Sequence, residues 1–130
     1  MLIHPYFGSE KRTEKEMAEE SVEDVAMNDM HWRLSIPQGL NRDYFGCNFE
    51  KVDMSNSVWS KFPAIEVYVA GKDFLKERGV MYVEFLKKNG VKEVEIVEAK
   101  EESHVFHVFY PQSCATRLLQ SQMTRFMEKY

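Results

Sequence analysis

The chain has little of what marks a secreted, metal-binding or nucleic-acid-binding protein. It holds only two cysteines, Cys47 and Cys114, with no Cys-x-x-Cys spacing and no histidines placed to complete a zinc site. Two reduced thiols in a reducing compartment are therefore expected, and the absence of any Asn-x-Ser/Thr sequon removes another pointer to secretion. Basic residues are in deficit: 17 Lys and Arg against 21 Asp and Glu give a net charge of −4. That sign disfavours a phosphate backbone, so nucleic acid is not expected as a partner. No apolar run approaches the roughly 20 residues of a membrane span. The apolar start meets His4 and Pro5 too early for a signal-peptide core. The expected location is cytoplasmic, with no membrane span.

What is present is a core. The 130 residues are 44% hydrophobic and 13% aromatic, enough for one domain and incompatible with disorder or low complexity over the whole chain. Residues 1–8, MLIHPYFG, read as the end of a buried strand running into a turn. An opening strand presents a sheet edge at the first residue, which creates the expectation that chain is missing upstream. Residues 10–29 carry three basic and eight acidic side chains, a local net of −5 and the mark of a solvated, partly helical face. Residues 30–60 lack periodicity but contain Trp32, Tyr44, Phe45, Phe49 and Trp59, an irregular aromatic excursion that must pack on something. From residue 64 the pattern becomes regular. IEVYVA is a buried strand ending at Gly71-Lys72-Asp73. Phe74/Leu75, Met81/Tyr82 and Phe85/Leu86 then recur at helical spacing up to a stop at Asn89-Gly90. Residues 91–97 form a second strand, HVFHVF follows a polar loop, and a last helix carries a stripe of Ala115, Leu118, Leu119, Met123 and Phe126. This strand, helix, strand, helix order over residues 61–130 predicts an α/β fold with a parallel sheet.

In such sheets, reactive groups gather beyond the carboxyl ends of the strands. Asp73 lies just past one strand end and His104 in the loop past the next, so neighbouring parallel strands would bring them together. An aspartate accepting the Nδ1 proton of a histidine leaves Nε2 free as a general base. The order Asp then His matches the later part of the α/β-hydrolase order Ser, Asp, His. No Gly-x-Ser-x-Gly occurs anywhere in the chain, and Ser103 lies on the wrong element to serve as a strained elbow. His31 and His107 are expected to be ordinary packing residues, Lys72, Lys76 and Arg78 helix-surface charges, and Met81, Met123 and Met127 core filler.

The strings HPYFG, KRTEKE, HWRLSIP with NRD, and above all VAGKDFLKERGVMYVEFLKKNGVKEVEIVEAKEESHVFHVF resemble the C-terminal part of plant carboxylesterases. These belong to the hormone-sensitive-lipase-like, gibberellin-receptor-related branch of the α/β-hydrolases. The resemblance implies that residues 1–130 are the C-terminal portion of a single α/β-hydrolase domain, with residues 10–60 an irregular and helical excursion. It assigns Asp73 as triad acid and His104 as triad base. It makes the strand before His4 the sixth of the sheet, residues 64–70 the seventh and residues 91–97 the eighth, and puts Trp32 to Phe49 on the pocket wall. It implies a small-molecule ester as substrate, with no cofactor and no metal. The family's Gly-Asp-Ser-Ala-Gly elbow and His-Gly-Gly oxyanion loop are both absent from these residues, so the chain by itself is expected to be inactive. Alternatives on the same scaffold are a hormone-binding receptor, in which an aliphatic residue replaces the histidine, and a dehydratase. A fourth reading is a non-catalytic truncated product.

Overall fold

In the computed structural model, which describes residues 1–130, three parallel strands stand in sequence order. They are β1 (Leu2–Ile3), β2 (Ile65–Ala70) and β3 (Val94–Ala99). All six residues of β2 are buried, as expected of a central strand covered on both faces. Its side chains alternate between two cores. Ile65, Val67 and Val69 join Trp59, Val83, Leu86, Val91 and Val94, while Tyr68 and Ala70 face Phe106 and Leu119. The register aligns the ends as well, with Ala70 beside Ala99, so the chain leaves β2 and β3 at the same level.

The helices are α1 (Glu14–Met17), α2 (Val22–Ser35), α3 (Asn56–Trp59), α4 (Lys76–Lys88), α5 (Phe106–Phe109) and α6 (Cys114–Lys129). Helix α4 lies against β2 through Gly79, where an added Cβ would stand 2.5 Å from Val69 Cγ1. Only glycine permits that approach. Its stop falls where expected: the Asn89 side chain donates to the Phe85 carbonyl, and Gly90 follows at φ 90°. Ser113 caps α6 by accepting the Thr116 N–H, and Leu119 and Phe126 supply its buried face.

Several expectations need correction. The second strand begins at Val94 rather than at residue 91, because Val91 packs in the core while the chain is still turning out of α4. Leu118 and Met127 on α6 are 57% and 58% exposed, so the apolar stripe is narrower than its sequence pattern. The acidic stretch is no purely solvated face, since Glu16 is 5% exposed and Arg78 2%. Thr13 and Glu16 form a capping box. The Glu16 carboxylate also accepts from Arg78 Nε at 2.8 Å and Nη2 at 2.7 Å, and Nη2 donates to the Lys11 carbonyl at 2.6 Å. Residues 10–17 thus form a strap fastened to α4 by a buried ion pair, and Arg78 is no surface charge.

Phe49 and Trp59 of the aromatic excursion pack as required, away from the strand ends, whereas Phe45 is exposed. Phe49 meets Phe7, Tyr82 and Phe85 at centroid distances of 5.0, 5.2 and 5.4 Å, and Trp59 meets Phe85 at 5.5 Å. No helix is long and apolar enough to cross a membrane.

Candidate active site

The turn after β2 and the loop after β3 close on each other through their backbones. Gly71 N–H donates to the Ala99 carbonyl and Lys72 N–H to the Glu102 carbonyl, each at 2.9 Å. A Cβ on Gly71 would fall 1.9 Å from the Lys100 carbonyl oxygen, so the approach depends on the missing side chain. The strap supports the same turn, with Lys15 Nζ donating to the Gly71 carbonyl at 2.7 Å.

This closure brings together two residues thirty-one positions apart: His104 Nδ1 and Asp73 Oδ2 are 2.7 Å from each other. The other carboxylate oxygen, Oδ1, accepts the Leu75 N–H at 2.8 Å, which holds the Asp73 side chain in one orientation. Asp73 is 3% exposed, whereas the His104 side chain keeps 29% of its surface open. An ionised carboxylate only accepts, so a hydrogen bond from His104 to it requires the proton on Nδ1.

His4, the residue after β1, stands beside this pair. Its ring is 5.7 Å from that of His104, 5.5 Å from Phe106 and 5.5 Å from His107. Its Nδ1 accepts the Val105 N–H at 2.7 Å. Burial lowers the His4 pKa to about 4. Repulsion from His104 and His107 acts in the same direction, and Asp73 opposes it. Tyr6 comes within 6.3 Å of the His104 ring, lies tilted against Trp32 at 5.7 Å and shares a hydrogen bond with His31 Nδ1 at 3.2 Å. Of the stretch from Trp32 to Phe49, the Trp32 end lies toward the site and Phe49 lies in the α4 core. His31 is exposed rather than packed, and His107 is half-buried against His4 and Phe106.

His4, Asp73 and His104 each offer a ligand atom within 4.8 Å of the others. Within this cluster Asp73 Oδ2 is engaged with His104 Nδ1, and His4 Nδ1 with the Val105 N–H. A cavity of about 270 Å³ lies between β3, α5 and α6, lined by His4, Tyr68, Phe106 and Leu119 among others. Neither Asp73 nor His104 lines it. The approach of His4 and Tyr6 to His104 had no signal in spacing.

A family model for the alpha/beta hydrolase fold matches residues 1–108. The chain belongs to this family. Plant proteins are among its curated relatives. It is 30% identical to the gibberellin receptor GID1B of Arabidopsis thaliana over 98% of this chain and 36% of the receptor. It is 34% identical to the probable carboxylesterase 7 of Arabidopsis thaliana over 99% of this chain and 41% of that protein. It is 37% identical to the tuliposide A-converting enzyme b2 of Tulipa gesneriana over 82% of this chain and 28% of that enzyme. The fold matches a crystal structure of an esterase, rPPE, with a TM-score of 0.75 at 19% identity, covering 92% of this chain and 38% of the esterase. The α/β-hydrolase fold and the resemblance to plant carboxylesterases are thereby borne out. The chain spans well under half the length of each of these relatives.

Proposed function

We propose that these residues form the C-terminal portion of a serine carboxylesterase domain, in which Asp73 is the acid and His104 the base of a Ser-His-Asp triad. The observation that carries the reading is the 2.7 Å contact between His104 Nδ1 and buried Asp73. In this mechanism His104 Nε2 takes the proton of a serine hydroxyl as the serine attacks the ester carbonyl. The resulting imidazolium, held by Asp73, then gives that proton to the leaving alcohol, and a water repeats the cycle on the acyl-enzyme. The serine and the oxyanion donors must come from residues other than these 130, since no elbow or His-Gly-Gly motif occurs among them. The substrate is a small carboxylic ester and the location cytoplasmic.

The test is a chimera in which the region of the Arabidopsis probable carboxylesterase 7 that precedes the match is joined to residues 1–130. It should hydrolyse p-nitrophenyl acetate. His104→Ala in the chimera should lower kcat by about ten-thousandfold. Turnover within tenfold of the parent in that variant would refute the assignment. The gibberellin-receptor reading rests on a comparable sequence identity but leaves the Asp73–His104 pair without a task, and tight hormone binding by the chimera without ester turnover would favour it.

A further inference from the structure

Two residues other than glycine adopt left-handed backbone, His4 and Val105, each at φ 47°. They lie 101 positions apart and are bonded to each other through the Val105 N–H and His4 Nδ1. For a β-branched residue this conformation is strained and persists only where the surroundings impose it. Val105 directly follows His104, so whatever holds Val105 also sets the direction in which the His104 side chain leaves the loop. Further back, the loop is gripped by Lys72 N–H on the Glu102 carbonyl. Residues 102–105 are therefore held at one end by the turn after β2 and at the other by a side chain from the end of β1.

We propose that His4 is a positioning residue whose Nδ1 clamps Val105 in its left-handed conformation and so aims the His104 ring at Asp73. The inference rests on the reading of His104 as triad base. The clamp is itself anchored, because His4 N–H continues the β1 ladder by donating to the Tyr68 carbonyl at 2.9 Å, and the residue is 5% exposed. It also requires neutral imidazole. A proton on Nδ1 would set a donor against the Val105 N–H. Burial and the facing rings of His104 and His107 disfavour that proton, and only Asp73 favours it, so the acceptor is in place throughout the neutral range.

Three variants of the chimera described above separate the clamp from simple packing. His4→Asn keeps an acceptor near the Nδ1 position and tolerates positive φ. His4→Gln carries its amide one bond further, and His4→Phe keeps the ring with no acceptor. The readouts are the downfield Nδ1–H proton resonance of His104 and hydrogen exchange at the Val105 amide, with β2 amides reporting global stability. The Asn variant should retain the resonance and the protection. The Gln and Phe variants should lose the resonance and exchange Val105 at least about tenfold faster, with β2 protection unchanged. If the Phe variant fails to fold, the contrast between Asn and Gln decides. Any other pattern, such as all variants retaining or all losing the resonance, overturns the clamp. Failure of the triad reading would show in the turnover of His104→Ala and would leave this pattern untouched.

Discussion

Glu16→Gln tests the strap most directly, because it removes a charge and almost no volume. In the native chain the Arg78 guanidinium is 2% exposed and forms its salt bridge with the Glu16 carboxylate, through two hydrogen bonds. The amide leaves a buried cation without its salt-bridge partner, a change that typically costs about 3–5 kcal/mol. The Thr13 capping box weakens at the same time. Against a domain stability of about 5–15 kcal/mol this is a large fraction. At an m-value of about 2 kcal/mol per molar urea, the unfolding midpoint should fall by about 2 M. Far-UV circular dichroism against urea measures it. The double variant Glu16→Leu/Arg78→Met should recover most of the loss, because two apolar side chains of similar size leave nothing buried and unpaired. The single variant should also loosen the turn before Asp73, since Lys15 on the same strap holds the Gly71 carbonyl. A midpoint shift under about 0.3 M for Glu16→Gln, or a double variant as damaged as the sum of the singles, would refute the buried-pair argument.

Other perturbations act on the site and the thiols. Gly71→Ala places a methyl 1.9 Å from the Lys100 carbonyl oxygen, so backbone must move. About 1–3 kcal/mol of stability should be lost, together with the downfield His104 proton; retention of that proton at native intensity would contradict the role given to Gly71. His4, with its pKa lowered to about 4 from 6.5, binds its proton more readily in the unfolded chain. Its contribution is therefore full above pH 6.5 and is lost as pH falls toward 4, up to about 3 kcal/mol. Urea midpoints between pH 7 and 4 should fall less steeply in His4→Asn than in the parent, and equal slopes would sink the assignment. Burial raises the Cys47 thiol to about 11, while Cys114 is exposed. One thiol should react with Ellman's reagent in the native chain and both in urea, and rapid reaction of two native thiols would contradict the burial of Cys47.

The sequence by itself determined the secondary-structure order and the parallel sheet. The continuous apolar run of β2, the helical spacing of α4 and the Asn89-Gly90 stop are local signals, and local signals survive without knowledge of contacts. It also placed Asp73 and His104 at adjacent strand ends, because strand order and loop position follow from the same pattern. Only the tertiary structure decided what crosses long separations. A charged residue on α4 reads as surface until a carboxylate sixty-two positions earlier is folded over it, as with Arg78 and Glu16. Nothing near HPYFG marks His4 as a partner of Val105, because that bond joins the first strand to a loop 101 residues later. The meeting of the Asp73 and His104 loops likewise turns on one van der Waals distance at Gly71. Periodicity reports which face of an element is buried, and only packing reports against what.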